Sequence, residues 1–196
     1  MAFQFQYNKT SLNDLGKQLK IREGALPILK NKESALRAEV IKHKSLLRKA
    51  KKRADEIKEE GKELLELIGR FPIERVEVDA LQIQKRKIAG VSIPVFEAVQ
   101  LKFREVLWHE APHWYPDVFN HLEREAEAVL KFELAGRQLK TLERERKRTT
   151  QKVNLYEKVQ IPELKDAIKK IKRFLEDKEN LSKAAQKIVK SRKMEA

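Results

Sequence analysis

The sequence contains no cysteine, little glycine and proline, and no long apolar run. Six Gly and six Pro among 196 residues are about half the usual share of these two residues, so the chain has few places to turn. The lack of Cys excludes disulfides, thiolate zinc sites and cysteine nucleophiles, and is compatible with a reducing cytoplasm. No window approaches the ~20 apolar residues of a membrane span, and residues 1–9 lack the apolar core of a signal peptide. We therefore expect long elements in a soluble protein that is not exported by that route.

Charged residues are abundant and unevenly placed. The chain has 44 Lys and Arg against 30 Asp and Glu, a net charge of +14. A charged fraction of 38% beside 41% apolar residues excludes a disordered tail and indicates charge-covered helices. Residues 1–70 carry +7, residues 71–117 carry −1 and residues 118–196 carry +8. A basic chain raises a nucleic-acid or membrane-surface interpretation, but here the excess lies on two flanks around a neutral middle.

The first flank repeats apolar residues with a period of 3.5. From Leu12 onwards, in alternating steps of three and four, thirteen of seventeen positions are apolar. This pattern is typical of a coiled-coil seam, whereas a single amphipathic helix drifts off a strict seven-residue period. Gly69, followed by Phe71 and Pro72, predicts the end of the helix. The predicted seam residues of this flank are Leu12, Leu15, Leu19, Leu26, Leu29, Leu36, Val40 and Leu47.

The second flank, from about residue 117 to residue 192, carries a similar seam with one irregularity. Its register slips by one residue between Gln160 and Leu164, where Pro162 lies. A proline inside a helix removes one backbone hydrogen bond and clashes with the preceding turn, so we expect a kink or local unwinding there. The predicted seam residues of this flank are Val153, Ile168, Ile171 and Leu175.

The two seams predict a mainly α fold built on a long antiparallel two-helix coiled coil with both termini at one tip. At ~1.5 Å per residue the helices would span about 85 and 110 Å, which predicts an elongated molecule. The middle changes to a period of two, which predicts a short β-hairpin closed at Gly90 and Pro94. We expect a short helix over residues 96–108 after it. The predicted division of the chain is thus residues 1–70, 71–117 and 118–196.

One string resembles a metal site. Residues 109–113 read HEAPH and match H-E-x-x-H, in which two His one helical turn apart bind zinc and the Glu acts as a base. That site needs a continuous helix, which Pro112 would break, so polar residues on a turn beside Trp108 and Trp114 are the favoured interpretation. The chain has no phosphate-binding loop, no nucleophile elbow and no dinucleotide fingerprint. The sequence gives no positive indication of an enzyme, a metal or a cofactor.

Three basic runs, at residues 48–53, 144–148 and 183–193, leave three interpretations open. Acids are mixed into the flanks and no aromatic residues are interleaved with these runs for stacking on bases, so a solvated coiled-coil surface is favoured over a nucleic-acid site. The third interpretation is a basic helix pair inside an acidic protein sleeve.

A motif in the second flank resembles a known family. Residues 152–162 read KVNLYEKVQIP, similar to the pattern R-V-N-A-L-E-x-V-x-I-P, with Asn154, Ile161 and Pro162 in register. Residues 9–36 and 89–96 also look like segments of the same family, in the same order. The chain resembles the D subunit of V-type and archaeal A-type rotary ATPases over most of its length. It departs from the family pattern at several positions, namely Lys152, Leu155, Tyr156 and a proline, Pro27, inside the first helix.

The resemblance implies a non-catalytic rotor shaft without a cofactor. In that family the shaft reaches into a hexamer of catalytic and non-catalytic subunits, binds a small F subunit and a socket subunit on the membrane ring, and transmits torque to proton or sodium movement. The expected location is cytoplasmic and peripheral to the membrane. The direction of the machine and its ion are left open. The competing interpretations are a basic coiled-coil protein that binds nucleic acid and a passive adaptor.

The resemblance also implies two sets of contact residues. Basic side chains at the expected tip should face the hexamer, namely Lys9, Lys17, Lys183, Lys187, Lys190 and Arg192. Apolar side chains of the middle segment should contact the F subunit or the ring socket, namely Ile83, Ile88, Val91, Ile93, Trp108 and Trp114.

Overall fold

The computed structural model describes residues 5–104 and 111–194. Within these residues the chain is mainly helical, with two long helical segments and a two-stranded antiparallel hairpin between them, which confirms the predicted fold class. The elements in chain order are α1 (Lys9–Glu60), a 3-10 turn (Gly61–Leu64), α2 (Leu65–Arg70), a second 3-10 turn (Ile73–Arg75), β1 (Val76–Ile88), β2 (Val91–Phe103), α3 (Tyr115–Leu155), a π-helical turn (Tyr156–Gln160) and α4 (Ile161–Met194).

The chain divides into two compact units. The terminal unit contains Met1–Glu33 and Arg148–Ala196, and the central unit contains Ser34–Lys147. The three segments expected from charge and punctuation, residues 1–70, 71–117 and 118–196, stay a prediction as domains.

In the terminal unit, the beginning of α1 packs against α4. The side chain of Asn8 caps α1 by accepting a hydrogen bond of 2.7 Å from the backbone N–H of Ser11, which satisfies one of the free donors at a helix start. The buried core consists of Leu15, Leu164, Ala167 and Ile171, with Leu12, Leu19, Ile168 and Leu175 packed around it. These are mostly the apolar residues of the two predicted seams, and their burial supplies the main driving force for pairing.

Cross-helix polar contacts show that the pairing in this unit is antiparallel. The Nε of Arg22 donates to the side-chain oxygen of Gln160 at 2.8 Å, and the Nζ of Lys30 lies 2.6 Å from a carboxylate oxygen of Glu157. The partner number falls as the α1 number rises. Both lysine and glutamate are about half exposed, so the ion pair adds little to the stability.

The described residues of the central unit form one apolar cluster at the tip of the hairpin and another at its base. One joins α1, α3 and the tip of the hairpin and contains Leu36, Val40, Val91, Ile93 and Leu142. The other lies at the base of the hairpin and contains Phe71, Phe103 and Val118, with the rings of Phe71 and Phe103 stacked at a centroid distance of 5.0 Å. The hairpin is therefore anchored at both ends.

The hairpin turns at Ala89 and Gly90, which both have positive φ, 49° and 76°. Two central residues with positive φ are typical of the tight turn that matches the twist of antiparallel strands, so the predicted closure at Gly90 is confirmed. The predicted closure at Pro94 is wrong, because Pro94 lies within β2 and pairs with Lys85.

The short helix expected over residues 96–108 is wrong over residues 96–103, where β2 continues to Phe103. Each apolar residue of this stretch finds a cross-strand partner on β1, such as Leu81 for Val99, and such pairing outweighs local helical preference. Residues 105–108 of that expected helix, with Trp108, lie outside the described residues, and so do His109 and Glu110 of the HEAPH string.

The predicted end of the first helical flank and the predicted irregularity of the second are both present. Helical structure of the first flank ends at Arg70, directly after Gly69, as predicted. The irregularity near Pro162 is the π-helical turn, where the backbone N–H of Ile161 donates to the carbonyl of Tyr156, five residues earlier. A π turn contains one residue more than an α-helical turn, which explains the slip of one residue in the seam. Pro27, by contrast, lies inside an uninterrupted α1.

Candidate interaction surfaces

The predicted seam residues face inward. None of their side chains is exposed, and the most deeply buried are Leu36 at 0% and Ile171 at 0% relative exposure. Truncation of such a side chain to Ala costs about 2–5 kcal/mol. The paired helices therefore have the buried interface that a stiff element requires.

The end of α4 has a different character. Every residue from 176 to 194 is exposed, so this part of α4 is not buried against any other part of the described chain. Large apolar side chains lie on it in the open, namely Leu181, Ile188 and Val189. Lysines alternate with them along the helix, which gives this end a mixed apolar and basic surface.

Glu179 is influenced by basic residues of both helices. Its carboxylate lies 2.8 Å from the Nζ of Lys183. The hydrogen bond from Lys183 is the main reason that the pKa of Glu179 lies below its usual range, and the charges of Lys183 and then Lys9 add to the effect. Lys183 thus contacts this carboxylate, and the charge of Lys9 acts on it as well.

The remaining basic residues of that predicted set are spread along the helices. Lys187, Lys190 and Arg192 lie on the exposed end of α4, beyond Glu179. Lys17 comes two residues after Leu15, which packs in the core with Leu164 and Ile171. Lys17 therefore belongs to the paired part of α1 and not to the exposed end.

The predicted contact residues of the middle segment do not share one surface. Val91 and Ile93 are buried in the chain's own core, at 7% and 1% exposure, with Ile88 packed against them. Trp114 packs around the aromatic cluster at the base of the hairpin. Ile83 is 43% exposed, so among the described members of this set it is the one side chain with a large open surface.

The contact residues expected over residues 73–96 did not include two exposed apolar residues of β1. Val78 and Leu81 are 61% and 45% exposed and lie on the same strand as Ile83. Their spacing of three breaks the period of two, so the sequence pattern alone assigns them to opposite faces. The signal that resolves this is the register of the hairpin, which only the folded chain provides.

A groove in the terminal unit was also missed. It has a volume of about 520 Å³ and is lined mainly by apolar side chains between α1 and the segment around the π turn, among them Ile28, Leu155 and Tyr156. Its lining residues on α1, from Arg22 to Leu29, flank Pro27, and on the other side it borders the turn that precedes Pro162. In the sequence, Pro27 and Pro162 were the two residues that could have indicated a groove here.

The described residues, 5–104 and 111–194, contain no group of three or more His, Cys, Asp or Glu side chains placed to hold a metal ion. Over the same ranges, no helix combines the length and the apolar character needed to cross a bilayer.

Comparison with known proteins identifies the family. Residues 11–191 match the family described as the D subunit of ATP synthase. The chain is 31% identical to the D subunit of a V-type ATP synthase of Borreliella burgdorferi over 191 residues, which covers 93% of each chain. It is 29% identical to a protein of the same name from Chlamydia trachomatis over 184 residues, with 91% and 90% of the two chains covered. The chain therefore belongs to the family of ATP synthase D subunits.

Proposed function

We propose that this chain is the central rotor shaft of a V-type ATP synthase or ATPase. The observation that carries the proposal is the contrast along α4, which has a buried seam up to Leu175 and an exposed apolar and basic end from residue 176 to residue 194. A shaft needs both features, a stiff paired part that transmits torque and an end that is received by another protein.

The exposed end is suited to the cavity of a protein hexamer. Leu181, Ile188 and Val189 supply apolar contacts, and the neighbouring lysines are complementary to an acidic sleeve. In this proposal Lys9, Lys183, Lys187, Lys190 and Arg192 face the catalytic and non-catalytic subunits, and Lys17 lies further along the shaft.

In this role the chain performs no chemistry itself. It couples ATP hydrolysis or synthesis in the hexamer to ion movement through a membrane ring, and it binds the small F subunit and the ring socket. Its location is cytoplasmic and peripheral to the membrane. Among the F-subunit and socket candidates, Ile83 has the exposure for such a contact, whereas Val91 and Ile93 support the hairpin from within.

Nucleic-acid binding is the weaker alternative. In the basic run at residues 48–53, Lys52 and Arg53 are ion-paired with carboxylates of their own helix, at 3.6 Å and 3.5 Å from Glu56. Paired cations release fewer counterions from a phosphate backbone than free ones.

Reconstitution with the co-encoded hexamer tests the proposal. We expect ATP-driven rotation to require the full chain and to fall several-fold when Lys183, Lys187 and Lys190 are all changed to Glu, because the contacts with an acidic sleeve become repulsive. The matched control changes three exposed lysines of α1, Lys49, Lys51 and Lys52, to Glu and should rotate normally. Full rotation by the first variant, or by a hexamer without the chain, would contradict the proposal.

A further inference from the structure

The outer strand of the hairpin presents a row of apolar side chains that its own chain leaves open. Val78, Leu81 and Ile83 are 61%, 45% and 43% exposed. Their cross-strand partners on β2 are Leu101, Val99 and Phe96, and these three are buried or half-buried. These three side chains of β2 are therefore covered, whereas their partners on β1 extend the same apolar surface into solvent.

One register shift on β1 keeps this row on one face, and a second, on β2, keeps its cross-strand partners on that face. The pairing skips Asp79 between Val78 and Ala80 on β1, and it skips Glu97 on β2 opposite the step from Gln82 to Ile83. Each extra residue reverses the alternation of side chains along its strand. Val78 and Leu81, three residues apart, therefore point to the same side, and Ile83 continues that side. Bulges of this kind re-aim side chains and are features that sequences specify.

The same face becomes basic toward the hairpin tip. No register shift occurs after Ile83, so Lys85 and Lys87 lie on the same face as Ile83. Their cross-strand partners are Pro94 and Ser92. Within the described residues neither lysine forms an ion pair or a side-chain hydrogen bond, and both are exposed. At the tip the other face carries Ile88, Val91 and Ile93, which pack against the helices, so the lysines point away from the chain's own core.

Two acidic residues of the hairpin lie off this face. Glu77 pairs with Lys102 on the opposite side. Its carboxylate oxygen Oε2 lies 2.6 Å from the Nε of Arg104, with which it forms an ion pair. Glu97 accepts a hydrogen bond of 2.9 Å from Gln84, which also belongs to the opposite side. The result is a surface that is apolar from Val78 to Ile83, basic at Lys85 and Lys87, and separate from both of these carboxylates.

We propose that this face is the docking site for an amphipathic helix of a partner subunit, with apolar side chains against Val78, Leu81 and Ile83 and carboxylates against Lys85 and Lys87. An apolar sheet face is ordinarily covered by a helix or a second sheet. The strand from residue 78 to residue 87 spans about 30 Å at ~3.3 Å per residue, the length of a helix of about 20 residues.

Docking on the face fits the strand better than pairing with its edge. In the described part of the chain, β1 pairs with β2 alone, so its outer edge is open. That edge carries the bulge at Asp79 and charged residues at both ends, and such features oppose the addition of another strand. On the apolar face, the chain itself covers the β2 half, and the side chains of β1 from Val78 to Ile83 stay open.

Binding to the two co-encoded stalk partners tests the inference, which rests on the proposed function. Calorimetry measures the affinity of the full chain for the purified F subunit and, separately, for the purified socket subunit. In the test variant, Leu81→Asp and Ile83→Asp place two carboxylates on the apolar row. We expect its affinity for one of the two partners to fall at least about tenfold, because both residues lie at the centre of the contact.

The matched control places the same two carboxylates on the opposite face of the hairpin. Gln82→Asp and Gln100→Asp change exposed residues that pair away from the apolar row, and we expect affinity within about twofold of the unchanged chain. A second variant, Lys85→Glu with Lys87→Glu, should weaken binding several-fold and remove most of its salt dependence. Since both lysines are exposed and point away from the core, this variant decides the matter if the Asp variant unfolds.

The outcomes separate this inference from the proposed function. Loss of affinity in both test variants, with the control intact, supports the docking face. Unchanged affinity for both partners in the test variants overturns it, as does failure of the unchanged chain to bind either partner. If the unchanged chain still drives rotation of the hexamer in these cases, the proposed function stands and the docking face alone is rejected.

Discussion

The Nε2 atom of His121 occupies the space that a β-carbon of residue 61 would take. Gly61 and His121 are both buried, and no hydrogen-bond partner for this Nε2 is present in the described ranges. The imidazole thus packs edge-on against the backbone where α1 gives way to the 3-10 turn. Only glycine leaves room for this contact.

Gly61→Ala should destabilise the protein by about 1–3 kcal/mol, because a buried ring must move to admit the new methyl group. This loss outweighs the ~1 kcal/mol that Ala ordinarily gains over Gly in a helix. Urea unfolding followed by circular dichroism measures the change. The matched control is Gly24→Ala in α1, where nothing lies within 4 Å of the added carbon, and it should stabilise the protein.

A double-mutant cycle identifies the cause. In a His121→Ala background the obstacle is gone, so Gly61→Ala should cost less than in the unchanged chain. Equal costs in the two backgrounds would show that the imidazole is not the reason for glycine at this position.

Two apolar residues of α4 should respond to truncation in opposite ways. Ile171 is fully buried in the terminal unit, whereas Leu181, ten residues later, is 72% exposed. Ile171→Ala should lower the free energy of unfolding by about 2–5 kcal/mol, and Leu181→Ala should leave it within ~0.5 kcal/mol. A large loss of stability in the isolated chain with Leu181→Ala would mean that the end of α4 packs on the chain itself.

The carboxylate of Glu179 should titrate below its usual range. Its pKa is lowered chiefly by the hydrogen bond from Lys183, so the interaction stabilises the folded chain at pH values above the unfolded pKa and is lost as the pH falls through the folded pKa. An NMR titration of the side-chain carboxyl measures this. Lys183→Ala should raise the pKa, Lys9→Ala should raise it less, and an unchanged value after Lys183→Ala would rule out the hydrogen bond as the cause.

Removing one residue from the π-helical turn should be tolerated. Because the turn holds one residue more than an α-helical turn, deletion of Lys158 in a Pro162→Ala background leaves a regular helix with Val153 and Leu164 still facing α1. We expect a loss below ~1.5 kcal/mol in the free energy of unfolding, as for a well-tolerated core change. The background change is needed because proline in a regular helix costs ~3 kcal/mol.

The matched control deletes Lys169 from the regular part of α4 in the same background. That deletion rotates the following residues by about 100° and moves Ile171 and Leu175 out of the seam. Helix content by circular dichroism should survive in both deletions, but only the Lys169 deletion should lose most of its stability. Similar losses in the two would refute the idea that the π turn carries the extra residue.

The long-range periodicity of the apolar residues was sufficient to predict the two long helical segments and their buried faces. Leu15 and Leu36 lie three heptads apart on the first flank, and Leu164 and Ile171 lie one heptad apart on the second. Burial of such stripes leaves little choice of face. The seam slip near Pro162 was also readable, because an inserted residue shifts every later apolar position by one. Its form, a π turn instead of a kink, depends on backbone bonds that the pattern does not contain.

The hairpin surface was less predictable. Val91 and Ile93 look like exposed strand residues in the sequence. In the structure, the tip of the hairpin packs on Leu36 and Leu142, and this contact buries Val91 and Ile93. Val78 and Leu81 look like residues of opposite faces, and the register shift at Asp79 brings them together. Both outcomes depend on which residues meet across strands and helices, and a linear pattern of apolar residues carries no such information.

Leu15 and Leu164 pack together in the terminal unit although 149 positions separate them in the chain. During synthesis at ~5–20 residues per second, the apolar stripe of α1 therefore waits roughly 7–30 s for its partner to leave the ribosome. Over that interval the stripe is open to chaperones and to the α1 of a neighbouring nascent chain. Once α4 emerges, its tether gives it the advantage of a high effective concentration. The rate of translation and the spacing of ribosomes on the message thus help to determine whether each shaft pairs with itself or with a copy.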